Sequence, residues 1–97
     1  MKKDEFLTII NKIFKSSNDY FGEIITDVKI RAYSENDICL WCQLDKGTTE
    51  AKLNPNGYVN FAQSGWREIT TMTEQIKNWR ELALLEPSKE FIIPFDI

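Results

Sequence analysis

The chain of 97 residues contains no histidine. That excludes histidine-based catalytic triads, the common His-containing zinc sites and the usual proton shuttle near neutral pH. Cysteine is scarce too, at two residues, so at most one disulfide is possible and a reducing compartment is the simpler expectation. Apolar runs such as Phe91-Ile92-Ile93 fall far short of the ~20 residues a bilayer span needs. No apolar segment follows Met1-Lys2-Lys3, so the expected location is cytoplasmic. Basic residues are outnumbered, 12 Lys and Arg against 15 Asp and Glu, and the net charge of -3 argues against non-specific binding of polyanions, which needs a basic field. What is present is ordinary: 42% apolar and 28% charged residues, enough to bury one core and too much apolar content for a disordered chain. The length suits a single α+β domain over residues 1–97.

From Asp4 to Lys15, Phe6, Leu7, Ile9, Ile10, Ile13 and Phe14 recur at three- and four-residue steps, which predicts an amphipathic helix with acidic residues at its start and a lysine at its end. After Gly22 the period becomes two. Ile24, Thr26, Val28, Ile30 and Ala32 form the inward set of a first strand, and Ile38, Leu40, Cys42 and Leu44 that of a second. Thr49, Ala51 and Leu53 follow in a third, then Val59 and Phe61 in a fourth. The connections read as Ser34-Glu35-Asn36, Lys46-Gly47 and the strong turn Asn54-Pro55-Asn56-Gly57. Thr71-Met72-Thr73-Glu74 has capping-box spacing before a second helix with Met72, Ile76, Trp79 and Ala83 on one face, ended by Glu86-Pro87. The tail Phe91 to Phe95 is expected as an edge strand or extended arm limited by Pro94. The predicted fold is a four-stranded antiparallel meander with both helices on one face, plus this apolar tail.

Keeping the inward sets on the core fixes an outer face that is rich in aromatic and charged groups. Trp41 is expected opposite Lys29 and Lys52, Tyr33 opposite Asp37, and Tyr58 opposite Asn54, with Asp27 and Glu50 flanking Gln43. Aromatic area between charges is the composition of a binding hot spot, so Trp41, Tyr58, Tyr33, Asp27, Glu50 and Asp37 are the candidate partner-binding residues. Two plainer roles compete: the Lys–Trp pairs only stabilise the sheet, or the tail folds over Trp41.

Cys39-Leu40-Trp41-Cys42 matches Cys-x-x-Cys, but within one strand the two thiols fall on opposite faces with Cα atoms ~10 Å apart, beyond disulfide reach. No other soft ligands complete a zinc site, so no metal and no cofactor is expected. The pairs Asp27-Val28-Lys29 and Glu50-Ala51-Lys52 resemble the acid-x-Lys motif of the PD-(D/E)xK nucleases, which implies a Mg²⁺ site with Glu50 and Lys52 and an acid from Asp37 or Asp45. The chain departs from that family because neither Asp follows a Pro and a fourth strand precedes the second helix. Lys29, Arg31 and Lys52 beside aromatics also suggest an RNA-reading sheet, opposed by Asp27, Glu50 and the net charge.

The layout of a small acidic domain with a helix, a meander and a helix resembles the single-domain bacterial immunity proteins that neutralise a cognate toxin, as in contact-dependent growth inhibition. It is also similar to the type III secretion chaperones, which are usually longer and dimeric. The first resemblance implies a non-catalytic toxin inhibitor or antitoxin whose partner is a protein, in form a cationic toxin domain; neither nucleic acid nor membrane is expected as a partner. Neither resemblance assigns a residue, so the candidate site rests on the sheet face alone.

Overall fold

The computed structural model describes residues 1–97. Helix α1 (Lys3–Lys15) is followed by strands β1 (Ile25–Ser34), β2 (Asp37–Leu44), β3 (Gly47–Leu53) and β4 (Val59–Phe61), then helix α2 (Thr73–Leu85) and a short strand β5 (Glu90–Phe91). All neighbouring strands are antiparallel, in the order β4-β3-β2-β1-β5. The four-strand meander is therefore extended to five strands by the start of the tail, which adds to the edge of β1. Both helices cover one face: Phe6, Ile10 and Phe14 from α1 and Ile76, Trp79 and Ala83 from α2 share one core with Val28, Ile30, Leu40, Cys42, Leu53, Val59 and Phe61. No helix is long and apolar enough to cross a membrane.

Past β5 the chain turns to the helical side. Ile93 is buried, and Phe95 closes an aromatic cluster with Phe6 and Trp79, at centroid distances of 5.4 and 5.8 Å. Asp96 then donates its backbone N–H to the Met1 carbonyl. The tail thus puts the aromatic rings of its end on the core side, and Trp41 on the opposite face is half-buried.

The strand faces follow the two-residue period, with two corrections that both come from local backbone geometry. Ile24, expected in the core, is 57% exposed, and Ile25 is buried in its place. The cause is a bulge at Thr26: Ile25 faces Leu44 and Asp27 faces Gln43, so the extra residue lets Ile25 and Val28, three apart, point to the same side. The second correction is the neighbour of Trp41, which is Glu50 and not Lys52. The tight turn occupies Asp45-Lys46, and Gly47 takes the positive φ of 146° just after it. A two-residue turn placed one position earlier shifts every facing pair by two residues, which preserves the faces and changes the neighbours. Consequently Gln43 faces Asp27 and Thr48, and Glu50 does not flank it.

Other turns depart less. β1 runs to Ser34, which faces Asp37, and Tyr33 is a second bulge residue rather than the partner of Asp37. The Asn54 turn forms as expected: its Oδ1 accepts from the N–H of Asn56 and Tyr58, and Gly57 adopts φ 84°. The N-cap of helix α2 is Met72, which offers no side-chain cap, and Thr71, at φ 67°, does not serve as the N-cap of a capping box.

Candidate functional site

With the helices and Phe95 on one side, the other face of the sheet is left to its own side chains. Alternation along β1, β2 and β3 delivers Lys29, Arg31, Trp41, Cys39, Glu50 and Lys52 to it, in facing rows Lys29-Trp41-Glu50 and Arg31-Cys39-Lys52-Asn60. Lys29 Nζ lies 4.6 Å above the Trp41 ring, and the Arg31 guanidinium carbon lies 5.6 Å from the same ring and 6.0 Å from Tyr33. Such cation–π contacts restrain the indole by attraction between the cations and the ring face.

The edge strand supplies the counter-charge. Glu90, facing Arg31 across the ladder, accepts from Lys29 Nζ at 3.2 Å and from Arg31 Nε and Nη2 at 3.0 and 2.6 Å. Arg31 first and Lys29 second hold the Glu90 carboxyl below its ordinary pKa. Across the face, the Tyr33 hydroxyl donates to Glu50, which raises the phenol pKa, and Lys52 pairs with Asp37, which raises that of the ammonium. Three cations and three carboxylates thus balance in number on the face, with Lys29 and Arg31 sharing Glu90, Lys52 on Asp37 and Glu50 on the neutral Tyr33 hydroxyl, and these contacts order the side chains around Trp41.

Cys39 sits in this layer, not in the core, yet it is only 1% exposed. Alternation alone, which puts Cys39 on the outer face, predicts an exposed thiol. The residues facing it on either side, Arg31 and Lys52, are long enough to cover it, and burial pushes its pKa up to about 12. Cys42 belongs to the core, where burial also raises its pKa; both thiols are free.

The six candidate residues separate into groups. Trp41, Tyr33 and Glu50 come together, and Asp37 joins the same face through Lys52. Tyr58 lies outside this network, immediately before β4, where its backbone N–H is held by Asn54. Asp27 is drawn to α1: it pairs with Lys3 at 2.9 Å, and that hydrogen bond lowers its carboxyl pKa. The acids of the nuclease-like motif are accordingly committed to separate partners, Asp27 to Lys3, Glu50 to Tyr33 and Asp37 to Lys52. Nowhere do three His, Cys, Asp or Glu side chains converge in a group able to hold a metal ion.

One further residue joins the rim of the face. Trp66 is 48% exposed and lines a groove of about 360 Å³ with Asp37, Lys52, Pro55 and Arg80. Its loop is rigidly placed, since Arg67 exchanges both backbone hydrogen bonds with Val59 and Gly65 donates to Asn60 Oδ1. The sequence carries no periodic signal here; a tryptophan directly after the loop glycine Gly65 was the only sign. No known protein family, curated protein or solved structure matches the chain.

Proposed function

We propose that this protein is a non-catalytic protein-binding module, and specifically an immunity protein that binds and neutralises a cognate toxin. The observation that carries the reading is the sheet face left free by the helices, where the Trp41 ring is held against Lys29 and Arg31, both of which pair with Glu90. An aromatic plate whose neighbours are already fixed loses little side-chain entropy on binding, which is the property of a hot-spot residue. Trp66 at the rim extends the aromatic surface. Because charge on the face is balanced, long-range attraction of a basic partner comes from acidic residues elsewhere, such as Asp19, Glu23, Glu35, Glu68 and Glu74, and from the net charge of -3.

The test is co-purification from the native host of whatever binds in stoichiometric amount, followed by an assay of that partner's toxicity with and without this protein. A toxic partner silenced by the complex supports the proposal. A non-toxic secreted protein kept soluble by the complex would make the protein a secretion chaperone, and turnover of a nucleic acid by the pure protein would make it an enzyme.

A further inference from the structure

The largest concavity lies away from Trp41, between α1 and the start of β1. This groove has a volume of about 610 Å³ and is floored by Leu7, Ile24 and Ile25. Ile24 is the residue that the Thr26 bulge turns outward, so a large aliphatic side chain stands in the groove at 57% exposure. The rim is polarised. Lys12 and Lys15 stand at one end and Asp4 at the other, about 12 and about 16 Å away along α1 at 1.5 Å per residue, and none of the three makes an ion pair.

The backbone beside the groove decides what form of partner fits. β5 pairs β1 only at Ile30 and Arg31, so residues 25–29 are an edge. That edge is already capped: Asn11 accepts from the Ile25 N–H at 2.9 Å and donates to its carbonyl at 3.1 Å, and Asp27 Oδ1 takes the Val28 N–H at 2.9 Å. An added strand would find these donors occupied, so recognition here works through side chains.

We propose that this groove docks an amphipathic helix of another protein, with an apolar stripe on Leu7 and Ile24 and a pair of carboxylates placed against Lys12 and Lys15. The unpaired lysines select an acidic helix and Asp4 sets its direction, since a basic residue suits the opposite end. This site is separate from the Trp41 face and goes beyond the function proposed above.

The probe is a synthetic helix of roughly 15 residues, about four turns, with a leucine stripe and a glutamate pair at one end, compared with the same peptide carrying lysines there. Binding is read by amide chemical shifts and by fluorescence anisotropy. The groove predicts shifts centred on Leu7, Thr8, Lys12 and Ile24, and at least about tenfold tighter binding of the acidic peptide. Ile24→Lys, a change at an exposed position, abolishes binding, and the double variant Lys12→Glu with Lys15→Glu reverses the peptide preference. Equal affinity for the two peptides, no binding, or binding that survives Ile24→Lys would overturn the proposal. Shifts centred on residues 29–33, 39–41 and 50–52 would place the peptide on the Trp41 face and overturn it too, as would a dimer of this chain that Ile24→Lys dissociates.

Discussion

Two residues show how local chemistry constrains the molecule. Cys39 is a thiol enclosed among charged side chains, and its pKa near 12 means that almost no thiolate exists at about pH 8. Iodoacetamide is expected to leave both cysteines of the native protein unmodified at that pH and to label both in denaturant; rapid labelling of one thiol in the native state would show that the outer layer does not close over Cys39. Gly57 is the other case. It holds φ 84°, and a Cβ there would lie 2.3 Å from the backbone carbonyl oxygen of Thr73, in the first turn of α2. Conformational strain and a clash with backbone act together, so Gly57→Ala should cost about 3 kcal/mol or more, read as a lowered denaturant midpoint at unchanged slope. A loss below about 1 kcal/mol would mean that α2 does not rest on this turn.

Periodicity made both helices, the order of the strands and most of the core legible at the level of elements. The β1–β2 register from Asp27 to Arg31 and the β3–β4 register also follow, because alternation fixes the faces and the turns at Ser34-Glu35-Asn36 and Asn54-Pro55-Asn56-Gly57 fix which residues meet. Where it failed, a single backbone residue decided. The bulge at Thr26 exchanges Ile24 for Ile25, and with two adjacent isoleucines the alternation gives no preference. The turn at Asp45-Lys46 uses Gly47 after the bend instead of within it. At the candidate site, Trp41, Tyr33 and Glu50 were identified from alternation alone, whereas Glu90 was not, since its place depends on a two-residue strand formed far along the chain. That strand is held on its outer side by Glu90, whose folded-state pKa lies below the ordinary carboxylate value. Its contribution is present above the unfolded-state pKa and is lost as pH falls through the folded-state value. β5 should therefore loosen in acid, below about pH 4. The amide of Ala32, which donates to the Lys89 carbonyl at 2.8 Å, reports this directly. Its exchange, corrected for intrinsic rate, should rise in acid in the wild type and be already raised at neutral pH in Glu90→Gln. Protection unchanged by both would mean that backbone pairing alone holds β5.

For the whole molecule, the arrangement is two-layered: the helices and the aromatic end of the tail seal one face of the sheet, and a self-paired polar and aromatic layer finishes the other. The same layer that pre-orders Trp41 also satisfies its neighbours, and stabilising the sheet is a sufficient reason for it to exist. The two roles separate in one experiment. Trp41 is half-buried and stands outside the apolar core, so Trp41→Ala leaves the fold in place. The decisive measurement is the affinity of wild type and Trp41→Ala for the co-purified partner by titration calorimetry, with folding of the variant verified by circular dichroism. The binding account predicts a loss of ~2 kcal/mol or more, roughly thirtyfold in Kd. A folded Trp41→Ala protein that binds its partner as tightly as wild type would contradict it.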